Sequence, residues 1–139
     1  MATAAVESAL LLEGSALSTA EVEQVARTRR PVALSDATLA RLAASRAALE
    51  QAIGAGEVLY GVNTGFGSLS KQRIDGAQLR EIQRNLILSH AAGVGEPLPE
   101  DVVRAMMLLL IASLGRGLSG VRPLIVERRP AVRERPWSG

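Results

Sequence analysis

Several residue types that build common functional sites are scarce in this chain. Its 139 residues include no cysteine, one histidine, one tyrosine, one phenylalanine and one tryptophan. Without cysteine the chain can form neither disulfides nor thiolate metal sites, and a single histidine excludes a histidine-rich metal centre. We therefore expect no metal site, and each of the few aromatic side chains becomes a candidate for a particular role.

An excess of charge of one sign is also lacking. Sixteen basic residues, fifteen of them arginine, face fourteen acidic ones, and the formal net charge is +2. Because no basic stripe is interleaved with aromatic residues, we expect no binding to nucleic acid. Residues 1–13 contain two acidic residues and no basic segment. This pattern does not fit a signal peptide, so we expect a cytoplasmic protein.

Long hydrophobic runs are absent as well. The longest, from Ala105 to Ala112, has eight residues, whereas a bilayer span needs about 20, so we expect no membrane association. As a helix this segment would be apolar on nearly every side and would need cover on every side. A domain of 139 residues is too small to supply that cover. We therefore expect a larger helical assembly, within a longer chain or an oligomer.

Helix signals follow one another along the chain and predict a mainly α fold with little β-sheet. Ser18 and Glu21 have the spacing of a capping box, and glycines stand where helices would end. The predicted helices run from Ser18 to before Pro31, from Ser35 to Gly54, from Gly76 to Ala92, from Pro97 to Gly115 and from about Pro123, with a short extended segment over Val58 to Val62.

The segment from Tyr60 to Gly67 contains three glycines and two of the three aromatic residues. Glycine reaches positive φ and lets other groups approach the backbone, so such a loop can close over a ligand and place a side chain against it. A phenol packed at a strand end, with its hydroxyl bonded to the backbone, is the alternative for Tyr60. The scarcity of aromatic residues favours the ligand site.

Three segments taken together resemble a known family. They run from Tyr60 to Gly67, from Asn85 to Gly95 and from Ser113 to Pro123, in the family's order and with similar gaps. On these motifs the chain resembles the N-terminal part of the aromatic amino acid ammonia-lyases, most closely the histidine ammonia-lyases. The resemblance covers about residues 15–127.

The resemblance implies a mostly helical homotetramer that eliminates ammonia from L-histidine to give urocanate, in histidine catabolism. Family members use an electrophilic methylidene-imidazolone (MIO) group that forms from their own Ala-Ser-Gly backbone. Tyr60 matches the family's tyrosine that takes the proton from the substrate carbon. Since an ordinary phenol has a pKa of about 10, this role requires a nearby cation, a helix N-terminus or hydrogen-bond donors.

The helical spacing places His90 on an apolar face near the C-terminal end of its helix. A buried histidine, favoured there when protonated by the helix dipole, is one interpretation. The resemblance implies contact with the substrate instead, because Ser89-His90 matches the pair of histidine ammonia-lyases. Some tyrosine aminomutases share this pair, so tyrosine or phenylalanine ammonia-lyases and aminomutases stay as alternatives.

The resemblance also implies that Asn63, Thr64, Phe66 and Gly67 bind the substrate and shape a lid over it. A plain surface turn is the alternative for these four residues. Arg122 matches a family arginine, but we interpret it as structural, at a solvated or ion-paired helix start.

One departure from the family is decisive for the chemistry. The sequence contains no Ala-Ser-Gly triplet, so the MIO group cannot form from this chain. We expect residues 1–127 to be a lyase-like helical segment and residues 128–139 to be a non-family tail rich in Arg and Pro. The tail is interpreted either as disordered sequence or as the product of a shifted reading frame.

Two functional classes therefore stay open. The chain is either the N-terminal portion of an ammonia-lyase that acts on a small amino acid substrate, truncated and inactive alone, or a non-catalytic helical partner. In the second case it would dock on full-length lyase subunits through its apolar helix. Both predict a homo-oligomer or association with other lyase subunits.

Overall fold

Five helices and two short strands form the regular structure of the described residues, which are 9–64, 74 and 76–127 of the computed structural model. The prediction of a mainly α fold is confirmed. Within this part of the chain, no helix is long and apolar enough to cross a membrane. In chain order the elements are β1 (Leu10–Leu12), α1 (Thr19–Thr28), β2 (Val32–Leu34), α2 (Asp36–Gly54), α3 (Gly76–His90), α4 (Glu100–Leu114) and α5 (Pro123–Glu127).

The described residues divide into two compact units. Residues 9–48 and 98–127 form the first, and residues 49–64, 74 and 76–97 belong to the second. The predicted boundary at residue 127, between a lyase-like segment and a tail, does not coincide with the division between these two units, and it stays a prediction.

The two strands are the elements that sequence analysis missed. β1 and β2 pair in parallel, with Leu10 opposite Val32 and Leu12 opposite Leu34, and α1 lies between them in sequence. Leu10 and Leu12 are buried whereas Leu11 is half exposed, as expected when side chains alternate along a strand. Three alternating positions are too few to distinguish a strand from a loop in the sequence, which explains the omission.

The predicted capping box opens α1. The Ser18 hydroxyl and backbone N–H both donate to the Glu21 carboxylate at 2.7 Å, and the Glu21 N–H donates to Ser18 Oγ at 3.3 Å. The hydrogen bonds from Ser18, that of its side chain first, lower the pKa of Glu21 below its ordinary value of 4.5. At the other end Arg29 adopts a left-handed conformation (φ 57°), which ends the helix.

The core of the first unit gathers one or two apolar side chains from most of its elements. Each large side chain buried in this way contributes roughly 1.5–3 kcal/mol. Partly buried residues such as Val22 and Leu114 pack around this centre. The core residues are Leu10, Leu12, Val25, Leu42, Leu108, Ile111 and Val126.

α1 packs against α4, and Arg104 joins the two helices. Its guanidinium is 8% exposed and donates through Nε and Nη2 to the carbonyl oxygen of Val25, at 3.3 Å in each case. Val25 lies in the last turn of α1, where carbonyls have no partner within the helix. Burial lowers the pKa of Arg104, an effect that Glu100 opposes.

The predicted apolar helix is α4, and it is covered on one side only by the described residues. Leu108 and Ile111 are buried in the core, whereas the opposite side carries exposed apolar residues at helical spacing. The expectation that the chain does not bury this helix alone agrees with these exposures. We call this exposed set the outer face of α4; it consists of Val102 (41% exposed), Met106 (57%), Leu109 (52%) and Leu110 (43%).

A buried hydroxyl ties α2 to β1. Thr38 is 0% exposed and its Oγ1 donates to the Leu12 carbonyl at 2.8 Å, while Arg41 Nη2 donates to Thr38 Oγ1 at 2.7 Å. Gly117, in the turn after α4, also approaches this part of α2. It has φ +71°, and a Cβ there would come within 3.1 Å of the Arg41 backbone. The turn therefore requires glycine for both its conformation and its space.

Thr38→Val should lower the free energy of unfolding by about 1–3 kcal/mol. The substitution keeps the shape of the side chain but removes one of the two donors to the Leu12 carbonyl, the other being the Ser35 N–H, and also removes an acceptor of Arg41 Nη2. Urea denaturation followed by circular dichroism measures the change. Thr28→Val is the matched control, because that hydroxyl lies on an exposed helix end and should cost less than about 0.5 kcal/mol. Equal losses in the two variants would contradict the interpretation.

Candidate functional site

Tyr60 stands in a tight turn rather than in an extended segment. The Val62 N–H donates to the Leu59 carbonyl at 3.1 Å, and the Asn63 N–H donates to the same oxygen at 3.2 Å. Gly61 has φ +73°, the value that a type II turn requires at its third residue. The predicted extended segment from Val58 is therefore wrong beyond Leu59, because Gly61 reverses the chain.

The side chain of Asn63 closes this turn from within. Its Oδ1 accepts from the Leu59 N–H at 2.8 Å, and its Nδ2 donates to the Glu57 carbonyl at 2.7 Å. One amide group therefore satisfies two backbone groups on the segment that enters the turn. Asn63 is 5% exposed, so this closure is largely shielded from water.

Thr64 adds a second brace. Its Oγ1 accepts from the Gly61 N–H at 3.2 Å, and the residue is fully buried. The Asn63 carbonyl in turn accepts from the N–H of Ile74 at 3.0 Å. The backbone N–H groups at positions 59, 61, 62 and 63 all have partners within residues 59–64, which defines the turn on both sides of Tyr60.

The Tyr60 side chain projects from this braced turn and is 68% exposed. A phenol this exposed does not fit the alternative of a phenol packed at a strand end, although Asn63 and Thr64 of the same turn are buried. Most of its surface can therefore be reached by a group that approaches from outside the turn.

His90 is the last residue of α3 and is exposed. The alternative of a buried His90 is wrong for this structure, because α3 has no buried side chain among those described. Its Nδ1 lies 2.8 Å from the Leu86 carbonyl oxygen and 3.1 Å from Ser89 Oγ. The Ser89 hydroxyl itself donates to the Leu86 carbonyl at 2.9 Å.

The contact with the Leu86 carbonyl favours a proton on Nδ1 of the imidazole. A carbonyl oxygen only accepts, so Nδ1 must be the donor to Leu86. In the neutral ring Nε2 is then an acceptor, and in the part of the chain that the structure describes it has no hydrogen-bond partner. His90 therefore presents a fixed edge to a ligand.

The structure brings some of the predicted site residues together. Tyr60, Asn63 and Thr64 share one turn, and His90 belongs to the same compact unit of residues 49–97. Phe66 and Gly67 lie outside the described residues. Arg122 is exposed immediately before α5, and its interpretation as structural stays a prediction.

Sequence analysis did not identify Asn63 as a closing group for the turn. An Asx residue two positions after glycine is a turn signal, because its side chain can bond nearby backbone. That signal was available in the sequence, but the bond to Glu57, six residues away, was not. Among the described residues, no group of three acidic or histidine side chains could hold a metal ion.

The sequence pattern of the aromatic amino acid lyase family matches residues 17–134 of this chain. The chain belongs to this family. The match extends beyond residue 127, where the resemblance noted above ends. It includes the turn that carries Tyr60 and the end of α3 that carries His90.

Individual relatives agree with this membership. The chain is 50% identical over 119 residues to the histidine ammonia-lyase of Geobacillus thermodenitrificans, which covers 86% of this chain and 24% of the relative. The chain thus spans about a quarter of that relative's length.

Solved structures of the family share the fold. A tyrosine aminomutase from Streptomyces globisporus has a TM-score of 0.82 at 33% identity, covering 88% of this chain and 23% of the other. The histidine ammonia-lyase of Trypanosoma cruzi has a TM-score of 0.74 at 34% identity, and the match covers 85% of this chain and 22% of the other. The family's helical fold is therefore shared by proteins whose names give different reactions.

The neutral imidazole of His90 should carry its proton on Nδ1. Because His90 is the only histidine, ¹⁵N NMR of the labelled chain gives a single ring spectrum, in which the two nitrogens are told apart by their shifts and their couplings to ring protons. We expect the Nδ1–H tautomer to predominate in the neutral ring. A predominant Nε2–H tautomer would show that the bond to Leu86 does not persist in solution.

Proposed function

We propose that this chain supplies the N-terminal part of a carbon–nitrogen lyase active site that eliminates ammonia from L-histidine to give urocanate. The observation that carries the proposal is the braced turn, which presents Tyr60 as an exposed phenol within the segment that matches the family. Similarity to histidine ammonia-lyase at 50% identity supports histidine as the substrate.

The proposed reaction breaks a C–H bond and a C–N bond of the substrate. Tyr60 takes the proton from the carbon next to the one that bears the amine, so that its electron pair forms the double bond as ammonia leaves. His90 offers Nε2 to the substrate, and the loop residues Phe66 and Gly67 are expected to contact it, while the buried side chains of Asn63 and Thr64 hold the turn. Tyr60 contributes a positioned base, and its position depends on the turn.

The amine is a poor leaving group, and the family's MIO group supplies the electrophile that takes it up. The residues of this chain do not fit that group, since none of the 139 residues begins an Ala-Ser-Gly triplet. We therefore propose that the chain alone does not form urocanate and that other residues complete the site. That the protein acts in the cytoplasm stays a prediction.

A tyrosine aminomutase or a related tyrosine or phenylalanine lyase is the second candidate function. The structural similarity to the tyrosine aminomutase of Streptomyces globisporus, at a TM-score of 0.82, favours keeping it. The two candidates share the role of Tyr60 and differ in the substrate side chain. Substrate preference, rather than loss of activity, therefore decides between them.

Replacing Tyr60 by Phe should lower kcat by about 10²–10⁴-fold, the usual contribution of a general base. The measurement uses a chimera in which this chain replaces the aligned segment of the Geobacillus thermodenitrificans enzyme, with urocanate followed by its ultraviolet absorbance. Circular dichroism confirms that both chimeras are folded.

Val58→Ala is the control, because Val58 is also exposed, at 55%, and has no proposed role in proton transfer. Unchanged turnover in the folded Tyr60→Phe chimera would contradict the base. A preference for tyrosine over histidine would favour the aminomutase candidate, and urocanate from the 139-residue chain alone would contradict the proposal that the site is completed elsewhere.

We also propose that the outer face of α4 binds other lyase helices, in copies of this chain or in full-length subunits. The purified chain should then elute from size-exclusion columns as an oligomer, and Met106→Glu with Leu110→Glu should shift it toward monomer, because two charges would be buried at the contact. Leu118→Glu is the control, since Leu118 is 86% exposed and lies outside that face. A clean monomer of the unaltered chain would contradict this proposal.

A further inference from the structure

The side chain of Asn63 is buried, and its hydrogen bonds are all made within the protein. Its amide bridges the Glu57 carbonyl and the Leu59 N–H, and its own backbone N–H and carbonyl bond to Leu59 and Ile74. Both polar atoms of its side chain are thus used within the protein. At 5% exposure, very little of the residue is accessible to a ligand.

We infer that Asn63 is a positioning residue, which sets the place of the Tyr60 phenol by holding the turn closed and does not itself contact the substrate. The inference rests on the proposed function for its consequence in catalysis, since a base must lie close to the proton it removes. It goes beyond that function in assigning the residue a role distinct from substrate binding.

The geometry explains why an amide is needed at this position. The group that faces Leu59 must accept a hydrogen bond, and the group that faces Glu57 must donate one. Only a side chain with an acceptor and a donor on one planar group meets both needs at this length. A carboxylate of the same size would keep the first bond and lose the second.

Thr64 acts from the other side of the turn. Its hydroxyl holds the Gly61 N–H, so Tyr60 lies between a residue tied by Asn63 and a residue tied by Thr64. The turn has a fixed closure on both sides of the phenol. Loss of the Asn63 amide would remove its two hydrogen bonds, to Leu59 and Glu57, from the segment that enters the turn.

The first test measures the turn in the full chain without reference to catalysis. In Asn63→Ala, hydrogen exchange at the Leu59 amide should rise at least about tenfold, corresponding to ~1.4 kcal/mol, and Asn63→Asp should show a smaller rise because it keeps the acceptor. NMR of ring-labelled tyrosine reports the phenol as a single residue, since Tyr60 is the only tyrosine. Its ring signals should narrow in Asn63→Ala.

Asn85→Ala is the matched control, because Asn85 is exposed on α3 and should leave both readouts unchanged. Unprotected exchange at Leu59 in the unaltered chain would overturn the inference, as would equal protection in Asn63→Ala. These outcomes do not depend on whether Tyr60 is a base.

The second test separates positioning from substrate binding in the folded chimera described above. Asn63→Ala should lower kcat by about 10²-fold, the loss expected when a catalytic group is misplaced by about 1 Å, while KM changes little. Asn63→Asp should recover part of the loss. A raised KM with unchanged kcat would overturn the inference and assign Asn63 to substrate binding.

The two proposals can fail separately. If Tyr60→Phe leaves turnover unchanged while Asn63→Ala still loosens the turn, the base assignment fails and the structural role of Asn63 stands. If Tyr60→Phe abolishes turnover and Asn63→Ala changes neither exchange nor kcat, the base stands and the positioning role fails.

Discussion

The place of Tyr60 depends on one side-chain amide three residues further along the chain. The Asn63 amide joins the Glu57 carbonyl to the Leu59 N–H, so the stretch that enters the turn and the residue that leaves it are held together. Glycine at position 61 makes the reversal possible, with φ +73°. Glycine alone is not sufficient, because it permits the turn, whereas the Asn63 amide and the Thr64 hydroxyl select it among the conformations that glycine allows.

A second constraint acts on the first unit. α4 has apolar side chains on two opposite sides, and the described residues cover only the side that carries Leu108 and Ile111. Arg104 lies on the covered side, where its guanidinium bonds the Val25 carbonyl at the end of α1. A charged group buried there would be costly without such a partner, so this contact ties the orientation of α4 to the end of α1.

Much of the fold could be predicted from local chemistry. The capping box at Ser18 and Gly54 at the end of α2 placed helix ends within a few residues, because caps satisfy backbone groups that the helix leaves free. The strand pair could not be predicted, since β1 is held by residues 22 positions away in β2. The hydroxyl of Thr38, which bonds Leu12 across 26 residues, was missed for the same reason.

In the candidate site, too, local motifs could be predicted from the sequence and three-dimensional contacts could not. The motifs identified Tyr60 and His90 as chemically interesting, and the glycines indicated a loop that turns. The motifs did not reveal that Asn63 points back into the turn, nor that His90 is exposed and anchored through Nδ1. Both facts depend on distances between groups that are separated in sequence, so a pattern of residue types does not contain them.

The described residues leave both the Tyr60 phenol and the outer face of α4 exposed to water. A phenol that is 68% exposed is in contact with water, which competes with any substrate for its hydrogen bonds. Enzymes exclude water from such groups when they act as bases. The outer face of α4 loses hydrophobic stabilisation for the same reason, since its apolar surface is in water. A protein that covers both would strengthen the proposed base and bury the apolar helix, and neither cover comes from the residues described in this structure.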